Sequence, residues 1–120
     1  MILILTADAA LQAQVEQTAD RENIPCLALS DEETLLAALP EETPGVIFMD
    51  VSHLGVDAAS LIEKLKRNQA TAKIPLVAFG NSLRADLLQD AKEAGANLVL
   101  PRAAFNQQLP ELIRHYGKAG

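Results

Sequence analysis

The sequence has no tryptophan, one tyrosine, three phenylalanines and a single cysteine among its 120 residues. So few flat rings leave little for nucleic-acid bases to stack on. Basic residues are also the minority, ten against sixteen acids, for a net charge of −6. A field of that sign repels a polyanion unless a local basic patch reverses it. The densest basic group, Lys64, Lys66, Arg67 and Lys73, is strung along one helical segment and makes no such patch. Nucleic acid is excluded as a partner on these grounds.

One thiol cannot form an internal disulfide, and Cys26 with the scattered His53 and His115 lacks the spacing of a zinc site. Cys26 lies in the apolar run Ile24-Pro25-Cys26-Leu27-Ala28-Leu29 and reads as a buried, inert thiol. No apolar run is long enough to cross a bilayer. The opening Met1-Ile2-Leu3-Ile4-Leu5 has neither the charged leader nor the cleavage site of a secretory signal. The expectation is a cytoplasmic protein without membrane contact. A hydrophobic fraction of 49% beside a charged fraction of 22% supports one domain over 1–120 with a real core.

Short apolar runs alternate with amphipathic stretches five times. The runs are Ile2–Leu5, Ile24–Leu29, Val46–Met49, Ile74–Phe79 and Leu98–Leu100, with Pro25 marking a strand start or an edge strand. After the first, Leu11, Val15, Thr18 and Ala19 fall at helical spacing behind Asp8 as an N-cap. Ser30 and Glu33 form the pattern of a capping box before Leu35, Leu36 and Leu39, and Pro40 stops that helix. A third helix turns Leu61, Ile62 and Leu65 inward. Ser82 reads as the cap of a fourth, carrying Leu83, Leu87, Leu88 and Ala91, with Gly95 as its stop. The last helix holds Leu109, Leu112, Ile113 and Tyr116, and Pro110 suits only its first turn. This alternation predicts an α/β fold: a doubly wound (βα)5 domain, one five-stranded parallel sheet between two layers of helices.

In an open parallel sheet, ligands bind at the carboxyl ends of the strands. The candidate residues are therefore Thr6, Ala7 and Asp8 after the first strand, Asp50 after the third, Gly80 and Asn81 after the fourth, and Arg102 after the fifth. Over essentially its whole length the chain resembles the receiver domains of two-component response regulators, which have the CheY-like form of the flavodoxin fold. The likeness is carried by Asp50-Val51 after an apolar strand, Gly55 and Asp57 in the following loop, Ile74-Pro75-Leu76-Val77, Gly95-Ala96-Asn97, and Arg102 where the family has a lysine.

The resemblance implies that Asp50 stands at the phosphoacceptor position. It also implies what this sequence lacks. The adjacent acids that help hold Mg²⁺ in active receivers become Thr6 and Ala7, leaving Asp8 and Asp50 as the only metal candidates. Asp8 reads better as a helix cap. The family's hydroxyl residue becomes Gly80, its lysine Arg102, its switch aromatic Val99, and the proline after the lysine Ala103, with Pro101 in front. Asp50 is either a nucleophile toward a phosphohistidine or a retained acid held by Arg102 or by backbone donors.

The favoured expectation is a pseudo-receiver: a non-enzymatic module, without cofactor, that binds a protein partner such as a histidine kinase or an output domain. It would be a monomer or a weak homodimer. Its docking face, implied by the resemblance, holds Arg84, Leu88, Lys92, Val99, Pro101, Phe105 and Tyr116. The alternative is a working receiver phosphorylated on Asp50 with Mg²⁺. A flavodoxin-like cofactor carrier fits poorly, because Thr6-Ala7-Asp8-Ala9-Ala10 has one hydroxyl and no glycine to cradle a phosphate.

Overall fold

A computed structural model describes residues 1–40, 43–52 and 57–117. Its elements are β1 (Ile2–Leu5), α1 (Ala9–Arg21), β2 (Cys26–Leu29), α2 (Glu32–Ala38), β3 (Val46–Asp50), α3 (Ala58–Arg67), β4 (Leu76–Gly80), α4 (Ala85–Ala94), β5 (Leu98–Pro101) and α5 (Arg102–Gly117). The five strands form one parallel sheet in the order β2-β1-β3-β4-β5.

Successive strand residues point to opposite faces, so apolar runs without polar alternation must be covered on both sides. They are. Leu3, Leu5, Ile47, Met49, Leu76 and Ala78 pack with Leu35, Leu61, Ile62, Leu65 and Ala91 from α2, α3 and α4. Ile2, Ile4, Val46, Phe48, Val77 and Phe79 pack with residues of α1 and α5. The edge strands β2 and β5 are only partly covered, and β2 begins directly after Pro25, as its proline suggested. Cys26 is only partly buried, not fully as its apolar run suggested, and that burial raises the thiol pKa to about 11, which suits an inert side chain.

Three expectations are corrected. Asp31, not Ser30, caps α2, its carboxylate accepting the Thr34 N–H at 2.8 Å. Ser82 caps nothing in α4: Asn81 caps a short 3₁₀ turn, Ser82–Arg84, and α4 opens only after it. Leu83 consequently sits in that turn and is 87% exposed instead of facing the core. Pro110 lies in the middle of α5, which starts at Arg102. Proline has no N–H to give the Asn106 carbonyl and costs a helix interior about 3 kcal/mol. The helix runs through it because Phe105, Leu109, Leu112 and Ile113 are all buried along one stripe, each contributing about 1.5–3 kcal/mol.

Phe105 also leaves the expected docking face. It is fully buried, stacked on Phe79 with ring centres 4.1 Å apart and edge-on to Phe48 at 5.1 Å. Gly95 ends α4 at φ +118°, where a side chain would be strained and would press on Lys66. The Lys66 ammonium in turn bonds the Ile74 carbonyl at 2.9 Å and Asn97 Oδ1 at 2.7 Å, tying α3 to the entries of β4 and β5. Among the described residues, no helix is long and apolar enough to cross a membrane.

Candidate functional site

The parallel register sets Leu5 beside Met49 and Asp50 beside Phe79, so the residues that follow β1 and β4 meet Asp50 at one end of the sheet. Asp50 is 7% exposed. One carboxylate oxygen accepts the Thr6 hydroxyl at 3.0 Å, and the other accepts the Ser52 N–H at 2.9 Å. Thr6 Oγ1 itself accepts the Asp8 N–H at 3.1 Å, which fixes the hydroxyl proton toward Asp50. Of the holders expected for Asp50, the backbone donor is present and Arg102 is not.

Arg102 pairs with Asp8 instead. Asp8 divides its two oxygens. Oδ1 caps α1 by accepting the N–H groups of Ala10 and Leu11 at 3.0 and 3.1 Å, and Oδ2 faces the guanidinium. The Arg102 hydrogen bond, then the Leu11 N–H, hold the Asp8 carboxyl below its ordinary value. A carboxylate with a depressed folded pKa stabilises the fold above its unfolded pKa, and that contribution disappears as pH falls through the folded pKa. Asp8→Asn keeps an acceptor for the cap but removes the charge. It is expected to lower the urea midpoint at pH 7, and its curve should converge with that of the wild type once the pH has fallen through the depressed folded pKa of Asp8. A gap of constant size down to low pH would contradict the ion pair.

Gly80 has no side chain because there is no room for one. A Cβ there would lie 2.7 Å from Val51 Cγ2 and 2.8 Å from Ser52 Oγ. Ser52 Oγ accepts the Asn81 N–H at 3.0 Å, and Asn81 Oδ1 accepts the Leu83 N–H at 2.9 Å. A chain of hydrogen bonds thus runs from Asp50 through Ser52 and Asn81 to the turn that exposes Leu83. Ser52 was missed in the sequence; its only mark there is its place two residues after Asp50.

Asp50, Ser52, Asn81, Ser82, Pro101, Arg102 and Ala103 line a cavity of about 260 Å³ at this end of the sheet. Ala7 is exposed and brings no ligand atom. The donor set does not suit Mg²⁺, which seeks several anionic oxygens in octahedral array. Among the described residues Asp50 has no second free carboxylate beside it, because Asp8 is committed to α1 and Arg102. Among the described residues no cluster of three metal-ligating side chains occurs. His53 and Gly55 lie outside the described residues, and Asp57 caps α3 through the Ser60 N–H.

The remainder of the expected docking face divides. Arg84, Lys92 and Pro101 are exposed, with Arg84 holding Asp86 by two bonds of 3.1 Å. Leu88 and Val99 are half-buried against the α3–α4 side of the core, and Tyr116 against the α1–α5 side, edge-on to His115. A larger depression of about 340 Å³ between α2 and α3 is lined by Leu36, Leu39, Lys64 and Leu65, and it gathers no reactive group.

With this geometry in view, the fold is that of response regulator receiver domains. The receiver domain of NtrX from Brucella abortus superposes with a TM-score of 0.83 at 17% identity, over 100% of both chains. A response regulator receiver domain from Bermanella marisrubri gives 0.83 at 22% identity, over 96% of this chain and 95% of its own. The chemotaxis response regulator CheY4 of Vibrio cholerae gives 0.81 at 15%, over 96% of each. No family model matches the sequence, and no curated protein matches it.

Proposed function

We propose that this chain is a pseudo-receiver, a module of two-component signalling that acts through protein contact and needs no phosphorylation of Asp50. The receiver fold supports the signalling role. The observation that carries the finer reading is the commitment of Arg102 to Asp8. Phosphoryl transfer depends on neutralising the charge of the moving group. Among the described residues the cation at the strand ends, Arg102, is already neutralised, Thr6 and Ala7 supply no anionic metal ligand, and the space at Gly80 is filled by Val51 and Ser52.

The second reading, a receiver phosphorylated on Asp50, keeps one observation in its favour: Asp50 lines the cavity at the strand ends. Amide spectra with millimolar Mg²⁺ and beryllofluoride, a phosphoryl mimic, separate the two. The pseudo-receiver leaves the resonances of Ser52, Asn81 and Val99 in place. Shifts spreading from Asp50 to Val99 and α5, absent in Asp50→Ala, would establish the phosphorylated receiver instead.

A further inference from the structure

We infer that the cavity at the strand ends receives a lysine side chain from the protein partner, its ammonium seated against the Asp50 carboxylate. The inference deepens the pseudo-receiver reading and rests on it in one respect, that Asp50 meets its partner as a free carboxylate.

Asp50 is more than nine-tenths buried, yet among the described residues its hydrogen bonds come from neutral donors, the Thr6 hydroxyl and the Ser52 N–H. None of the ion pairs among the described residues includes it. A carboxylate taken out of water without a counter-cation keeps an unrecovered desolvation cost, which an incoming cation recovers. The cavity offers a place for that cation. Asp50 lies in its wall together with the polar residues Ser52, Asn81 and Ser82, and Pro101 and Ala103 give apolar contact for a methylene stem. Arg102 stands at the same cavity but does not bar a cation, because Asp8 neutralises it. The net charge of −6 draws a basic segment toward the protein.

An ammonium suits the cavity better than a guanidinium. Each Asp50 oxygen already accepts one bond, so a planar fork would have to find a free lone pair on both at once, whereas a compact ammonium needs only one.

The test uses the whole chain and three blocked tripeptides: Ac-Gly-Lys-Gly-NH2, the same peptide with arginine, and the same peptide with norleucine. The amides of Ser52, Asn81 and Leu83 should shift and saturate with the lysine peptide in the millimolar range. The arginine peptide should bind several-fold more weakly, and the norleucine peptide or Asp50→Asn should abolish the shifts. Equal shifts from norleucine, shifts that survive in Asp50→Asn, or no saturation up to about 50 mM would overturn the inference. So would Mg²⁺ alone saturating the same amides and displacing the peptide. Beryllofluoride is added only in a separate arm. A response there would sink the pseudo-receiver reading, while the lysine titration without it decides the cavity's occupant.

Discussion

Gly80→Ser is expected to destabilise the fold by about 2–3 kcal/mol, the cost of overpacking a closed site, and to bring no phosphorylation with it. The position does not need glycine for its backbone, since the only glycine with positive φ among the described residues is Gly95. Space is what is missing. The new Cβ would come within 2.7 Å of Val51 Cγ2 and 2.8 Å of Ser52 Oγ. Val51 is 4% exposed and wedged among core residues, so it cannot swing aside. Ser52 could rotate, but only by releasing the Asn81 N–H and with it the turn that carries Leu83. The double variant Gly80→Ser with Ser52→Gly returns the hydroxyl to position 80 and removes one of the two clashes. It should be less destabilised than the sum of its parts, by at least about 0.5 kcal/mol of coupling. Urea midpoints at unchanged m-value measure both quantities. If Gly80→Ser were as stable as the wild type, Val51 and Ser52 would have to move freely, and the hydroxyl of Ser52 would lose its claim to fill that space.

The sheet was legible because its signal is redundant. Five apolar runs each needed cover on both faces, and parallel strands joined by helices provide it. The helix ends were less legible. Ser30 against Asp31 and Ser82 against Asn81 are choices between adjacent capping residues, settled by the path of the chain out of a strand. Pro110 misled because local backbone preference was weighed without the buried stripe of α5 that overrides it. Phe105 belongs to the same lesson, since a position one turn into α5 turns inward once that helix starts at Arg102. At the site, which residues stand at the candidate positions, Thr6, Ala7, Gly80 and Val99, could be read directly. Which neighbours they meet could not. The Arg102–Asp8 pair joins residues far apart in the chain, and the contact between Ser52 and Asn81 exists only because β3 and β4 end side by side. Sequence shows which residues stand at a site more readily than which partners they meet there.

Thr6→Asp should expose the reason the site carries one free carboxylate. Thr6 is 1% exposed, with its hydroxyl 3.0 Å from Asp50 Oδ2. The substitution replaces a donor by a second anion at that distance, and the described cation of the same cavity, Arg102, is already paired with Asp8. A buried charge left without compensation costs about 3–5 kcal/mol, so the variant should be close to unfolding at pH 7 in the presence of EDTA. The sign of its pH dependence follows. Like charges raise the pKa at which the coupled pair takes up a proton, so the folded variant holds a proton that the unfolded chain has released. Its stability therefore improves as pH falls, once one protonated carboxyl donates to the other as the threonine hydroxyl did. A divalent cation should have the same effect by mass action, since two carboxylates now offer the anionic oxygens that Mg²⁺ requires. The decisive comparison is thermal melting with EDTA and with millimolar Mg²⁺. Stabilisation of Thr6→Asp and not of the wild type would show that a second carboxylate at this position is what the site needs to hold the metal. Equal stabilisation of both would mean that Asp50 and its neutral neighbours hold Mg²⁺ unaided, and the case for a receiver that works without phosphorylation would lose its chemical footing.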